Sequence, residues 1–266
     1  MKDEKEIRKI VREKYGEIAR RSEETPACGC NFSCESGESW TVDLDYSGTE
    51  GYVPAADLNL GCGLPVKHAG IEPGDTVVDL GSGAGNDVFV ARRIVGDAGR
   101  VIGVDMTPEM IDKARRNNEK LGYANVEFRA GDIEALSVED ASTDVVVSNC
   151  VLNLVPDKRK AFAEILRILR PGGHFCVSDI VLRGELPEKL RGVAEMYAGC
   201  VSGALQEDEY LGIIRETGFA EVDVRESRRI EIPDGVLKGF LDEAEIACIR
   251  RSGFQVLSIT VTAARP

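Results

Sequence analysis

Residues 76–85 read Thr76-Val77-Val78-Asp79-Leu80-Gly81-Ser82-Gly83-Ala84-Gly85, a short apolar run that breaks into three alternating glycines. The run has the length and composition of a buried strand, and the residues after it adopt a helical period. Glycines at a strand-to-helix junction let backbone approach a ligand closely and present the unpaired N–H groups of the helix N-terminus. The middle of the chain repeats this alternation. The pattern predicts strands at 76–80, 100–105, 126–129, 144–148 and 174–181, and helices at about 86–95, 108–121 and 158–169. Thr107-Pro108 is a helix start and Arg170-Pro171-Gly172-Gly173 a helix stop. Alternating strands and helices imply a parallel sheet joined by right-handed crossovers.

The flanks are less regular. Residues 3–22 read as an amphipathic helix with Ile7, Ile10, Val11 and Ile18 on one face. Between 25 and 65 periodicity is lost, and a long structured loop with one short helix is expected. After the alternating region come a helical stretch at 187–198, a helix at 207–217, a strand at 221–226, a helix at 235–250 and a strand at 254–263.

At 266 residues the chain can bury a full core without disulfides. It carries 46 acidic against 33 basic residues, a formal charge of −13, which argues against nucleic acid or an anionic membrane as partner. The first residues, MKDEKEIRKIVREK, contain no apolar leader segment, and no run of about 18 apolar residues exists. A cytoplasmic location with reduced thiols is therefore expected. There are eight cysteines but only two histidines, His68 and His174, so a histidine-rich metal site is excluded. His68 is expected at a domain edge and His174 at the opening of a strand.

Asp105 ends the second predicted strand, twenty residues after Gly85, where an acid can accept both ribose hydroxyls of a nucleoside. A dinucleotide fold wants glycine at the position held by Asn86, so the pattern here is Asp-x-Gly-x-Gly-x-Gly. An acid such as Asp79 at the head of the loop repels a phosphate and favours a cation. This arrangement resembles the class I S-adenosylmethionine-dependent methyltransferases. Gly131-Asp132-Ile133 and Arg170-Pro171-Gly172-Gly173 extend the resemblance over roughly residues 70–265. It implies an α/β, Rossmann-like fold with a seven-stranded, mostly parallel sheet in the order 3-2-1-4-5-7-6. It also implies cofactor contacts from Asp79, Gly81, Ser82, Gly83, Gly85, Asp105, Met106, Asp132, Ile133 and Asn149. Tyr15, Trp40 and Tyr46 either cover the cofactor or pack the N-terminal segment onto the core.

The acceptor region after the fourth strand, Ser148-Asn149-Cys150-Val151-Leu152-Asn153-Leu154, offers a thiol where a base is more usual. Cys200 follows the fifth strand and Cys62 lies in Asn59-Leu60-Gly61-Cys62-Gly63 before the first. All three segments feed the carboxyl edge of the sheet, so a three-coordinate thiophilic centre is expected. Cys176 and Cys248 read as core residues; Cys28-x-Cys30-x₃-Cys34 has the look of half a zinc site, but no second cysteine or histidine pair follows at ribbon spacing, which argues against zinc there.

The set Gly61-Cys62-Gly63, Ser148 to Leu154 and Tyr197-Ala198-Gly199-Cys200-Val201-Ser202-Gly203-Ala204 is similar to the arsenite S-adenosylmethionine methyltransferases. The resemblance implies that Cys62, Cys150 and Cys200 hold As(III), and that Cys34 is a fourth functional cysteine. It implies that cysteines form a disulfide after methyl transfer, restored by thioredoxin or glutathione, with S-adenosylhomocysteine as coproduct; Cys34 with Cys62 is the first pair to test, and the choice among Cys28, Cys30 and Cys34 stays open. Methylarsenite needs one sulfur fewer, so Cys150 and Cys200 suffice for a second round. Residues 1–66 are then a helix and cysteine-containing loop, 67–183 the cofactor-binding core, and 184–266 a part completing the sheet and arsenic site, in a monomer. Two other readings remain at this point, a methyltransferase of a small organic acceptor and a non-catalytic thiol sensor.

Overall fold

A computed structural model describes residues 4–24, 46–185, 188–190, 203–232 and 234–266. Cys28, Cys30, Cys34, Trp40 and Cys200 lie outside this range, as does most of the helical stretch expected at 187–198.

Helix α1 (Glu4–Glu24) and the short α2 (Pro65–His68) precede the alternating region. That region comprises β1 (Thr76–Leu80), α3 (Asn86–Val95), β2 (Arg100–Asp105), α4 (Pro108–Leu121), β3 (Val126–Ala130), β4 (Thr143–Asn149), α5 (Lys158–Ile168) and β5 (Leu169–Arg183). The chain ends in α6 (Glu207–Thr217), β6 (Ala220–Ile230), α7 (Asp234–Lys238), α8 (Glu243–Arg251) and β7 (Gln255–Ala264). The seven strands form one sheet in the order β3-β2-β1-β4-β5-β7-β6. Strands β1 to β5 are parallel, and β7 runs antiparallel between β5 and β6.

The central strands are apolar because helices cover both faces of the sheet. Val77 and Val78 have no exposed surface, and Val77 pairs with Val101 on one side and Val145 on the other. One face packs Phe89, Met110, Ile111 and Phe128 of α3, α4 and β3. The other packs α5 and α6, with Phe162 edge-on to Tyr210 at 5.7 Å and Phe175 edge-on to Phe219 at 4.8 Å. The crossover helices start and stop as their end residues dictate. Pro108 opens α4, and Gly122 closes it in the left-handed region at φ 70°. The Asp157 carboxylate caps α5 by accepting the Lys160 N–H. Helix α1 buries Val11 and Ala19 against this core.

Three expectations change. The Arg170–Gly173 segment ends α5 as expected but joins the sheet, because Gly172 N–H donates to Arg265 O (3.0 Å) and Arg265 N–H to Gly173 O (2.8 Å). The helix expected over 235–250 is two helices. Asp242 accepts the Glu245 N–H at 2.8 Å while Glu245 accepts the Asp242 N–H at 3.0 Å. That capping box is readable as Asp242-x-x-Glu245 and restarts the helix there. Cys248 is exposed and is not a core residue, since α8 turns only Ile246 fully inward. Cys176 is buried as expected, and burial pushes its thiol up to about 12. His68 is half-buried at the edge of the fold against Glu226 (3.3 Å), and His174 lies within β5, its ring hydrogen-bonded to the Ala69 carbonyl. Among the described residues no helix is long and apolar enough to cross a membrane.

Phe162 is fully buried at the centre of the aromatic cluster on the α5 face. Phe162→Ala is expected to destabilise the protein by about 3–5 kcal/mol. Urea unfolding followed by circular dichroism measures this, and a loss within experimental error contradicts the packing described.

Candidate active site

The loop after β1 is shaped by what glycine alone permits. Gly81 has φ 70°, and a Cβ there would lie 2.3 Å from Val151 Cγ2. Gly85 caps α3 at φ 98°, and a Cβ there would lie 2.8 Å from the Phe89 ring and 2.9 Å from that of Phe128. The loop is tied to β2 by Asp105, whose carboxylate accepts the Gly83 N–H (3.0 Å) and the Thr107 N–H (2.8 Å). Burial raises the Asp105 carboxyl above its ordinary range, and these backbone donors oppose the rise.

A cavity opens over this loop at the carboxyl edge of the sheet. Asp79, Gly81, Ser82, Gly83, Asp105, Met106, Asp132, Ile133 and Asn149 all line it, as the sequence predicts. Gly85 does not line it and serves as the helix cap. Arg8, Val11 and Tyr15 of α1 form another wall with Tyr46, so both aromatic residues border the cavity. Arg8 reaches across to Asp132 at 2.9 Å and also pairs with Glu134.

The cavity floor is acidic. Burial raises the Asp79 carboxyl well above its ordinary value, with Asp87 and Asp105 adding to the effect. Burial pushes Asp87 up to about 6, opposed by hydrogen bonds from Asn149 and Tyr46. Among the described residues Arg8 is the single cationic side chain in the lining, and it pairs with Asp132 and Glu134. This set disfavours a pyrophosphate and favours a cationic nucleoside. Ser82 Oγ is buried in the wall with no hydrogen-bond partner among the described residues, as for a group that a ligand satisfies. The glycine cradle, the orphan hydroxyl and the carboxylates thus fit S-adenosylmethionine.

Asn149, at the end of β4, joins this cavity to the cysteine segment. Its Oδ1 accepts the N–H groups of Cys62 (3.0 Å) and Gly63 (3.2 Å). Its Nδ2 faces Gly63 O (2.8 Å), Tyr46 Oη (2.8 Å) and Asp87 Oδ2 (3.1 Å), and Tyr46 donates to Asp87 Oδ1 at 2.9 Å. The close approach explains the Gly61-Cys62-Gly63 triplet. A Cβ on Gly61 would lie 2.7 Å from Asn149 Nδ2, and one on Gly63 would lie 2.2 Å from Ser178 Oγ.

This network brings two of the predicted thiols together. One donor atom each from Cys62, Cys150 and Asp179 lie within 4.8 Å of one another, and all three residues are buried. Cys62 is further fixed by Ser258, whose hydroxyl donates to the Cys62 carbonyl. Cys150 sits in the left-handed region at φ 60°, its N–H donating to Ser178 O at 2.7 Å. Left-handed backbone is costly for a side-chain-bearing residue and concentrates at functional sites. Cys150 also lines the cofactor cavity. Cys34 and Cys200 lie outside the described residues.

Asp179 and Asp87 are site residues that the sequence reading passed over. Asp179 accepts a hydrogen bond from Tyr210 Oη at 3.2 Å, and burial pushes its carboxyl up to about 7. The available signal was an acid inside the otherwise apolar strand around residues 174–181. For Asp87 it was an acid in the first turn of a helix opened by the glycine loop.

Asn149→Ala removes the acceptor shared by two amides. Hydrogen exchange at the Cys62 and Gly63 amides is expected to accelerate at least about tenfold, with the strand amides of β1 unchanged. Equal protection in both proteins contradicts this role for Asn149.

A family model described as "Methyltransferase domain" matches residues 71–218. An arsenite methyltransferase of Halobacterium salinarum is 42% identical over 84% of this chain and 60% of its own length. That of Aquipseudomonas alcaligenes is 36% identical over 88% of this chain and 68% of its own. The chain thus spans about six-tenths to two-thirds of these curated relatives. An arsenic(III) S-adenosylmethionine methyltransferase from Chlamydomonas reinhardtii has a crystal structure that superposes with a TM-score of 0.64, at 34% identity over 84% of this chain and 71% of that one. With the sheet order, the glycine cradle and the paired thiols, these similarities mean that the chain belongs to the methyltransferase-domain family and, within it, to the arsenite methyltransferase family.

Proposed function

We propose that this protein methylates arsenite, using S-adenosylmethionine. The observation that carries the reading is the convergence of the buried Cys62 and Cys150 thiols beside the cofactor cavity, with Cys150 lining both. A methyltransferase of an organic acceptor has no need of two thiols at the acceptor position. Thiols suit an acceptor that binds sulfur, and As(III) is one.

The cofactor supplies an electrophilic methyl group, the acceptor supplies the As(III) lone pair, and the products are S-adenosylhomocysteine and arsenic oxidised by two electrons. The chain's own residues then have separate tasks. Asp105 and the glycine loop seat the nucleoside. Asp87 presents negative charge to the cationic end, and Asp79 lines the same cavity. Cys62, Cys150 and Cys200 hold arsenite; each As–S bond replaces an As–OH bond, and the thiol proton leaves with hydroxide as water. Much of the acceleration then comes from positioning, which can contribute about 7–11 kcal/mol. The two electrons that return arsenic to As(III) come from two cysteine thiols, with Cys34 and Cys62 as the pair. Glutathione or thioredoxin restores them. Methylarsenite, with one site fewer for sulfur, is held by Cys150 and Cys200. We further propose a cytoplasmic monomer, consistent with the absence of a membrane-crossing helix among the described residues.

The test is As(III)-dependent consumption of S-adenosylmethionine with speciation of the arsenical products. Cys150→Ser and Cys200→Ser are each expected to abolish both methylation steps. Cys62→Ser is expected to abolish the first while sparing methylarsenite as substrate. Retention of full arsenite activity by the Cys150 and Cys200 variants overturns the ligand assignment. Cofactor consumption that does not depend on arsenic overturns the reading itself.

A pH dependence follows from Asp87, raised to about 6. Above that pH its carboxylate is ionised and attracts the sulfonium; below it the charge is lost. Affinity for S-adenosylmethionine is therefore expected to fall as pH is lowered from 7.5 to 5, while that for uncharged-sulfur S-adenosylhomocysteine falls less. Calorimetric titration of both at the two pH values decides it, and parallel pH profiles refute it.

A further inference from the structure

The acceptor pocket contains a donor that arsenic does not require. As(III) is satisfied by sulfur, yet Asp179 places a carboxylate oxygen within 4.8 Å of both the Cys62 and Cys150 sulfurs. Asp179 is almost wholly buried, on the strand that also carries Ser178, the partner of the Cys150 N–H. We propose that Cys62, Cys150 and Asp179 form a zinc-binding site, which competes with arsenite for the same two thiols.

Four observations support this. The donor set, two thiolates and one carboxylate, matches zinc, which accepts sulfur at about 2.3 Å and carboxylate oxygen at about 2.0–2.2 Å. Tetrahedral coordination needs sulfurs about 3.8 Å apart, and the donor atoms already lie within 4.8 Å of one another, so the sulfurs need approach by at most about 1 Å. The ligands are held before metal arrives. Cys62 is fixed through its N–H to Asn149 and its carbonyl to Ser258, Cys150 through its N–H to Ser178, and Asp179 through Tyr210 and the Ile180 N–H. Such outer hydrogen bonds orient ligands and sustain metal affinity. Charge completes the case, because a buried carboxylate beside two thiols is costly when all ionise. Lys158 is the cation that eases the Asp179 charge, and a bound dication relieves the rest. Among the described residues three protein ligands are present, which leaves a fourth tetrahedral position for water or a further thiol.

Arsenite and zinc therefore differ in their need for Asp179. The zinc site stands independently of the proposed methylation, and the competition between zinc and arsenite rests on that reading. The experiment uses the full chain, reduced and stripped of metal. A Cys28→Ser/Cys30→Ser/Cys34→Ser background removes the upstream cysteines as rival ligands. Zinc is titrated against a chromophoric chelator, and cobalt(II) is added separately to report thiolate ligation by its charge-transfer absorption. One zinc per chain is expected, together with a thiolate–cobalt band that Cys150→Ser abolishes. Asp179→Asn is expected to weaken zinc binding at least about tenfold. The same variant should retain binding of S-adenosylmethionine, which shows that it folds, and binding of As(III). Failure of the parent protein to bind zinc overturns the proposal, as does equal zinc affinity in Asp179→Asn. Zinc binding that depends on Asp179 in a protein without As(III) affinity upholds the zinc site and refutes the arsenite reading instead.

Discussion

The site depends on one side-chain amide. Asn149 ends a central strand, and its carboxamide is the point where the cofactor cavity meets the cysteine segment. Its oxygen accepts two backbone N–H groups from Cys62 and Gly63, while its nitrogen faces a carbonyl, a phenol and a carboxylate. A half-buried amide with both ends satisfied is held rigidly, and leaving its partners unpaired is costly. Residues 46–75 have little regular structure apart from α2, so these bonds fix where the Cys62 thiol sits. The glycines on either side of Cys62 follow from the same constraint, since any side chain there would meet Asn149 or Ser178.

The fold was legible because its signals are local. Apolar runs of strand length, glycine turns and the Thr107-Pro108 start each act within a few residues, and every strand of the parallel region lies where periodicity predicts it. Errors arise where a distant partner decides. The Arg170–Gly173 stop becomes part of β5 only because Arg265 of the C-terminal strand pairs with it. The helix break at Asp242 was written in a capping box, but helical periodicity across it masked the signal. Cys248 was assigned to the core by the same continuous period, and the short helix α8 turns it outward.

The site was legible in its parts and not in its connections. Gly81, Gly83 and Asp105 could be read from order and spacing, and Asp132–Ile133 from the family resemblance, and they line one cavity. Cys62 and Cys150 could be placed at the sheet edge, but their separation depends on the Asn149 network and on the left-handed backbone at Cys150. Neither has a sequence signature. Asp87 and Asp179 were passed over because an acid in a helix's first turn, or one polar residue in a strand, has ordinary structural explanations. Their burial, and the groups that face them, gives them meaning.

Charge separates the two kinds of occupant that the thiol pocket suits. On the proposed reading, arsenite enters uncharged, and each As–S bond formed from a thiol releases water. No net charge is transferred into a buried site, so an apolar wall around Cys62 and Cys150 is no obstacle. The acidic cavity beside it is likewise indifferent to a neutral acceptor and is reserved for the cationic methyl donor. Zinc reverses the balance. It arrives with two positive charges and needs both thiols ionised, and the Asp179 carboxylate supplies the third donor. A pocket of sulfur alone would be selective for thiophilic acceptors. The buried aspartate broadens it toward harder ions, and Tyr210 holds that carboxylate in place to do so.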